Sequence, residues 1–237
     1  AGEAMAIGER TPLALIDPAA AARMAVGEAI TNLCAAPVAS LEQVKLSANW
    51  MAAAGHHGED ARLFDAVRAV GIELCPSLDL SIPVGKDSLS MQAQWQGDEG
   101  AHKAVSPVSL VVSAFAPVAD VRRQLTPLLS GRRDTELWLL GLGGGRQRLG
   151  GSILSQCHGA FGGACPDLDQ PARLRAFFEL VRDARGQELL LAYHDRSDGG
   201  AFAALCEMAF CSHVGVDIDL AGWGEDRIDD VFRVLFN

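Results

Sequence analysis

The sequence lacks any uninterrupted apolar run near the ~20 residues that a membrane-spanning helix requires. Its N-terminus lacks a basic segment followed by an apolar one, so no secretory signal is visible. Positive charge is scarce, because 20 Lys and Arg stand against 30 Asp and Glu and leave a net charge of −10. Such a chain is repelled by nucleic acids and acidic membranes, which argues against both as partners. Nucleotide binding is still allowed, since one metal ion and a few backbone N–H groups can offset a local phosphate.

The six cysteines lack the C-x-x-C spacing of common metal and redox motifs. Their neighbours are apolar or small, which predicts reduced thiols and a cytoplasmic location. Cys157 and His158 are adjacent and could suggest a metal site or a nucleophile, but no second His/Cys cluster supports either. His56 and His57 precede a predicted helix and are given no role.

The chain has enough apolar material for a real core, since 49% of its 237 residues are hydrophobic. Apolar periodicity predicts helices over residues 18–35, 60–75, 172–185 and 200–211, the last mostly buried, and strands over 44–50, 88–95 and 108–115. From Pro117 the pattern changes to an alternation of helices and strands. We therefore expect an α/β (α+β) fold with a sheet-forming N-terminal subdomain (1–116) and a C-terminal α/β subdomain (117–237). In the latter we expect a short helix over 121–129 and strands over 137–142, 189–193 and 216–220.

The stretch from His194 to Gly200 combines two carboxylates, a hydroxyl and two glycines between a predicted strand and a predicted helix. A helix N-terminus offers free N–H groups and a favourable dipole for phosphate. Carboxylates beside a phosphate need a cation, usually magnesium. The alternative is that Asp198 only caps the helix and the glycines only turn the chain.

Glu28 and Asn32 lie four residues apart in the first predicted helix and therefore share one face. A carboxylate and an amide oxygen at this spacing suit a hard cation that prefers oxygen ligands. Taken alone, the spacing favours an ordinary solvated pair on the helix surface over a metal site.

Gly85, Lys86, Asp87 and Ser88 are expected to form a loop at the start of the strand over 88–95. A glycine that lets backbone approach, a cation and a hydroxyl are suited to an anionic ligand. The alternative is a tight turn with a surface Lys–Asp pair worth little. The spacing is not that of a P-loop, and the glycines between 141 and 145 do not complete a dinucleotide-binding motif.

Several of these stretches resemble those of one enzyme family. The sequence Asp-Arg-Ser-Asp-Gly-Gly after an apolar run is similar to the signature of the aminoimidazole-ribonucleotide-synthetase superfamily of ATP-using enzymes. Within it, the chain resembles the large, single-chain phosphoribosylformylglycinamidine synthases. The similarity spans essentially the whole chain and, besides that signature, is carried by four stretches in family order: residues 4–10, 26–32, 45–51 and 82–88.

The resemblance implies a function and a position within a longer enzyme. The whole enzyme would convert formylglycinamide ribonucleotide to the amidine in purine biosynthesis, using ATP and glutamine-derived ammonia. The chain would be part of the second of two synthetase-like repeats. Its partners would be the first repeat and the glutaminase domain, and the second subdomain would be incomplete at Asn237.

The resemblance also implies site residues. Glu28, Asn32 and Asp195 would bind Mg²⁺ in an auxiliary ATP/ADP site, and Ser197 would contact the nucleotide. A further aspartate ligand would precede Ala1. The stretch Gly85–Ser88 would reach the catalytic site of the other repeat, and no catalytic residue is expected in this chain. Two alternatives stay open: a self-contained homodimeric ATP-dependent synthetase or kinase of the same superfamily, and a structural module without a ligand.

Overall fold

The computed structural model describes residues 1–220 and 228–237. The N-terminal half contains a four-stranded sheet in the order β1-β6-β2-β3, built from β1 (Gly2–Glu9), β2 (Lys45–Met51), β3 (Ser81–Ser88) and β6 (Ser109–Val118). Strands β2 and β3 are parallel, whereas β6 is antiparallel to both β1 and β2. A separate antiparallel hairpin is formed by β4 (Gln92–Gly97) and β5 (Gly100–Val105). The predicted mixed α/β class is confirmed.

Helix α1 (Pro18–Leu33) covers one face of the sheet and is the centre of the core. Asp17 caps it, because its Oδ1 accepts a hydrogen bond from the N–H of Ala20 at 2.9 Å, and Pro18 fits the first turn. The helix approaches β1 most closely at Gly8. A Cβ at that position would lie 2.1 Å from Ala25 O, so only glycine allows this packing.

The opposite face of the sheet is open in this chain. Alternate residues of β6 point into the core, whereas Phe115 on the other face is 41% exposed. In the same face Met5 and Ile7 of β1 are 67% and 52% exposed, and Val84 of β3 is 59% exposed. The sheet is therefore buried on the side of α1 alone.

Further helices continue the chain after β2. They are α2 (Glu59–Arg68), a π-helical segment (Ala69–Leu74) and α3 (Cys75–Ser77), followed in the C-terminal half by α4 (Ile153–Cys157), α5 (Pro171–Gly186), α6 (Gly200–Ser212) and α7 (Ile228–Phe236). Short 3-10 turns occupy Thr11–Leu15, Leu41–Gln43 and Val121–Arg123. The four predicted helices form at the expected places. No described helix has both the length and the apolar character needed to span a bilayer.

Helix α5 joins the two halves. Leu174, Phe178 and Val181 are buried in the same core as α1. The guanidinium of Arg185 donates to the carbonyl of Ala36 at 2.6 Å and to that of Cys34, so it satisfies carbonyls that follow the end of α1.

Several predicted elements of the C-terminal half are wrong. Within the described residues no strand follows Val118: residues 137–142, 189–193 and 214–220 run without a ladder partner, and Leu137, Trp138 and Leu189 are 53%, 74% and 67% exposed. A strand forms only when a neighbour takes up its N–H and C=O groups, and an apolar run does not supply one. In place of the helix expected over 121–129, the structure has only the short 3-10 turn Val121–Arg123.

Two further expectations need correction. The strand predicted over 88–95 is split, because β3 ends at Ser88 and β4 begins at Gln92. Helix α6 is less buried than expected, since Phe202 and Phe210 are 49% and 73% exposed.

Candidate functional site

The candidate site lies where α1 faces the segment that leads into α6. Glu28 of α1 is partly buried, and its Oε2 accepts a hydrogen bond from the backbone N–H of Glu9 at 2.7 Å. Burial raises the pKa of Glu28, and the negative charges of Asp195 and Asp198 add to that shift. The hydrogen bond from Glu9 and the charge of Arg10 oppose it. The carboxylates of α1 and of residues 195–198 therefore influence one another although they are far apart in sequence.

Asp195 has an environment similar to that of Glu28. Burial raises its pKa, the neighbouring His194 lowers it, and Glu207 raises it further. His194 is held between two acidic groups: its Nε2 lies 2.9 Å from Oε2 of Glu207, and its Nδ1 lies 3.6 Å from Oδ1 of Asp195. Nothing in the local sequence indicates this Glu207–His194 contact, because the two residues are separated by the start of α6.

Asn32 is oriented by the sheet. Its Nδ2 donates to the carbonyl of Ile7 in β1 at 2.9 Å, which turns the amide so that its Oδ1 is left as an acceptor. Glu28 uses Oε2 for the bond with Glu9, and no hydrogen bond within residues 1–220 and 228–237 involves its other oxygen. Two carboxylates and one amide oxygen are the hard donors that Mg²⁺ prefers, so these residues fit the ion chemically.

The described residues do not yet form a coordination shell. Among them, no three His, Cys, Asp or Glu side chains are close enough to share a metal ion. What links Glu28 to Asp195 in the structure is charge, since Asp195 contributes to the raised pKa of Glu28.

Arg10 is the cation of this region, and sequence reasoning missed it. Its Nη1 lies 2.5 Å from Oδ1 of Asp198, and its side chain is only 14% exposed. Arg196, the nearest cation in sequence, has no such contact among the described residues, and burial lowers its pKa. Arg10 lies in one of the family-like stretches, but nothing local linked it to a residue 188 positions away.

The turn before α6 is built from two glycines in left-handed conformations. Gly199 has a φ of 84° and Gly200 a φ of 67°. A Cβ on Gly200 would lie 2.4 Å from Leu235 O, so this turn packs tightly on the backbone of α7. The N–H of Gly200 donates to the carbonyl of Ser197, and the Ser197 side chain is exposed beside the helix N-terminus.

The stretch Gly85–Ser88 lies elsewhere. The structure places it within β3, an edge strand, and not in a loop. Ile7 of β1 is paired with Ser113 of β6, which is paired with Ser47 of β2, which in turn is paired with Val84 of β3. Three strand spacings therefore separate β1 from β3, a distance of about 14 Å. The residues of β3 and the carboxylates near β1 are thus at opposite edges of the sheet and do not form one site.

Comparisons with known proteins agree with this architecture. Residues 1–117 match the family model of the FGAR-AT PurM_N-like domain, and residues 135–233 match that of the C-terminal domain of AIR synthase related proteins. Thermotoga maritima PurL complexed with ATP superposes with a TM-score of 0.59 at 14% identity, covering 99% of this chain and 34% of PurL. PurL complexed with FGAR gives 0.57 at 14% identity, covering 89% and 32%.

A third structure is that of an enzyme with a different activity. Thiamine-monophosphate kinase from Stenotrophomonas maltophilia K279a gives a TM-score of 0.51 at 16% identity, covering all of this chain and 72% of the kinase. At these identities the similarities establish the fold alone. The chain spans about a third of the length of the PurL chains that it matches. The chain is therefore similar to two families in succession, the FGAR-AT PurM_N-like domain over residues 1–117 and the C-terminal domain of AIR synthase related proteins over residues 135–233.

Proposed function

We propose that the chain is part of the ATP- and glutamine-dependent ligase that converts formylglycinamide ribonucleotide to formylglycinamidine ribonucleotide. The order of its two domains and the fold shared with PurL support this proposal. T. maritima PurL has been obtained with FGAR, ATP and ADP, which is the ligand set of such an enzyme. In this proposal the chain belongs to the second synthetase-like repeat, and the first repeat and a glutaminase domain act with it in the cytoplasm.

Within that enzyme, we propose that this segment holds an auxiliary Mg²⁺–ADP site. The observation that carries the proposal is the effect of Asp195 on Glu28: both carboxylates are partly buried, burial raises the pKa of each, and the charge of Asp195 raises that of Glu28 further. Burying like charges together is unfavourable unless a cation joins them. The third ligand in this proposal is Oδ1 of Asn32, already oriented by Ile7.

The nucleotide phosphates would lie at the N-terminus of α6. Free N–H groups at the start of this helix and the hydroxyl of Ser197 can donate to phosphate oxygens. Bound magnesium would supply positive charge to both the carboxylates and the phosphates. Arg10 would then interact with the phosphate as well, and its ion pair with Asp198 would weaken.

The exposed edge of the sheet has a separate role in the proposal. Gly85, Lys86 and Asp87 are exposed on β3, and Ser88 at its end is half-buried. We propose that they contact a nucleotide or substrate in the catalytic site of the first repeat. This chain alone should therefore not turn over formylglycinamide ribonucleotide, because phosphoryl transfer requires the acceptor and the metal-bound triphosphate to be positioned together.

Calorimetry with ADP, with and without Mg²⁺, tests the auxiliary site. We expect magnesium-dependent binding by the wild type and at least ~10-fold weaker binding by Asp195→Asn, since loss of a ligand exceeds the loss of its supporting contacts. Asp65→Asn is the matched control, because Asp65 is exposed on α2 and far from the site in the sequence. Wild-type protein that binds no ADP in excess magnesium would instead support a structural module.

A phosphate-release assay tests the auxiliary role against independent catalysis. The purified chain is supplied with ATP, formylglycinamide ribonucleotide and ammonium. We expect no substrate-dependent release. Release that requires substrate and disappears in Asp195→Asn would overturn the auxiliary role and favour a self-contained synthetase.

A further inference from the structure

Three arginines surround the glycine-rich loop Gly143–Gly145, well apart in sequence from the residues of the proposed magnesium site. Arg146 and Arg148 share one carboxylate: Nη1 of each lies 3.2 Å from Oδ1 of Asp169. Nη2 of Arg148 lies 2.6 Å from Oδ2 of the same side chain. The two guanidinium groups are therefore held side by side by a single negative charge.

The third guanidinium comes from Arg173 in the first turn of α5. Its Nε donates to Oε1 of Gln170 at 2.7 Å, and no carboxylate among the described residues pairs with it. A Cβ on Gly144 would lie 3.3 Å from Nη1 of Arg173, and one on Gly143 would lie 3.9 Å from Nη2 of Arg148. Arg148 and Arg173 thus flank two consecutive glycines, and side chains at those positions would close the space between them.

The charge balance of this cluster differs from that at two other surface arginines. Arg122 and Arg132 are each paired with one aspartate, Asp120 and Asp134 respectively. Around the glycine loop, Arg146 and Arg148 share Asp169, and Arg173 pairs with no carboxylate among the described residues, since the nearby Asp167 already pairs with Arg23. Two positive charges are left uncompensated in a chain whose net charge is −10.

Donors for a ligand are available at the same place. Nε of Arg148 is buried and has no hydrogen-bond partner. Within the described part of the chain, the N–H groups of Gly144 and Gly145 donate no hydrogen bond either. A buried donor without a partner is costly, so a ligand that accepts hydrogen bonds here would be stabilised.

We propose that Arg146, Arg148, Arg173 and the Gly143–Gly145 backbone form a binding site for a phosphomonoester dianion, as carried by a sugar phosphate or a nucleoside monophosphate. The dianion matches the two uncompensated charges. Guanidinium groups bind phosphate oxygens through paired, charge-assisted hydrogen bonds, and glycines let the backbone approach them. The site shares no residue with the magnesium site and needs no metal.

Amide chemical shifts of the ¹⁵N-labelled chain in EDTA test this site without contribution from magnesium-dependent nucleotide binding. The probes are ribose 5-phosphate, AMP and inorganic phosphate, and ribose serves as the uncharged reference. We expect saturable shifts at Gly143–Gly145 with the phosphates and none with ribose. A preference among the three phosphates identifies the source of the dianion. Absence of saturable shifts with all three overturns the proposal.

Four variants test the charge argument. Arg173→Gln and Arg146→Gln should each weaken binding about 5-fold or more, because each removes a charge-assisted contact. Asp169→Asn should tighten binding, since it removes the competing carboxylate, whereas a purely structural role for Asp169 predicts no tightening. Arg122→Gln changes the net charge equally and should leave affinity unchanged. If Arg122→Gln and Arg173→Gln weakened phosphate binding equally, the effect would be one of general surface charge and the proposed site would be overturned. Weaker phosphate binding by a folded Asp169→Asn variant would overturn it as well.

Discussion

At the scale of single residues, the carboxyl group of Glu28 is stabilised poorly in its charged form. Burial and the charges of Asp195 and Asp198 raise its pKa, so the folded chain holds a proton there more tightly than the unfolded chain does. Tighter proton binding by the folded chain stabilises it at low pH. This stabilisation is complete below the unfolded pKa of about 4.3 and is lost as pH rises through the folded pKa. At neutral pH the ionised group therefore destabilises the metal-free protein.

We predict that Glu28→Gln raises the free energy of unfolding of the metal-free protein at pH 7.5 by about 0.5–1 kcal/mol, the usual size of a relieved charge conflict. The amide keeps an oxygen that can accept from the N–H of Glu9. The gain should vanish near pH 4, where Glu28 is protonated. Denaturant melts at both pH values measure it, with Glu42→Gln on the surface as a control. A loss of stability at pH 7.5 would contradict the prediction.

Some residues of the candidate site could be predicted from the sequence and others could not. Glu28, Asn32 and Asp195 were identified by resemblance, and the structure brings Glu28 and Asp195 within electrostatic reach. Arg10 could not be predicted, because its partner is determined by how the two halves dock. The position of Gly85–Ser88 in a strand was missed as well, since β2 supplies its hydrogen bonds.

At the scale of elements, local signals predicted helices well and strands poorly. Asp17 and Pro18 mark the start of α1. Ser152 caps α4, because its side chain accepts a hydrogen bond from the N–H of Ser155. Such caps lie within a few residues of the helix that they begin. The runs over 137–142 and 189–193 have strand-like composition, but a strand depends on a partner that may be distant in sequence. Apolar content alone was therefore misleading there.

The contact between β1 and α1 gives a prediction at this scale. Gly8→Ala should lower the free energy of unfolding by about 3 kcal/mol, at the upper end for overpacking, because the added Cβ meets backbone atoms that cannot rotate away. It would lie 2.1 Å from Ala25 O and 2.4 Å from Ala29 N. Gly71→Ala is the control, since nothing lies within 4 Å of its Cβ position and alanine favours helix. Chemical denaturation of the two variants should separate them, and equal stabilities would show that β1 and α1 are not packed as described.

At the scale of the whole molecule, polar contacts tie the two halves together across the core. The hydroxyl of Tyr193 donates to the carbonyl of Thr31 at 2.7 Å, and Arg23 pairs with Asp167 at 2.6 Å. Arg185 satisfies two carbonyls beyond the end of α1. Because these bonds link residues from both halves, the halves should unfold in one transition.

We predict that Arg185→Met lowers the free energy of unfolding by about 2–3 kcal/mol. The variant keeps much of the side-chain volume, but it leaves the carbonyl of Cys34 without a donor and the carbonyl of Ala36 with the N–H of Val38 alone. Arg182→Met, three residues earlier on α5 and with a side chain that is 39% exposed, should stay within about 0.5 kcal/mol of the wild type. Urea titrations followed by both fluorescence and circular dichroism measure the loss and the cooperativity. Two separate transitions in the wild type would contradict the linkage of the halves.

The packing of Gly200 against α7 has a consequence for substitutions at position 200. The atoms that exclude a side chain at position 200 belong to the backbone of residues 235 and 236, not to their side chains. This contact therefore constrains the path of the α7 backbone, whichever side chains residues 235 and 236 carry. A variant with a side chain at position 200 could fold only if that helix moved away from the turn before α6.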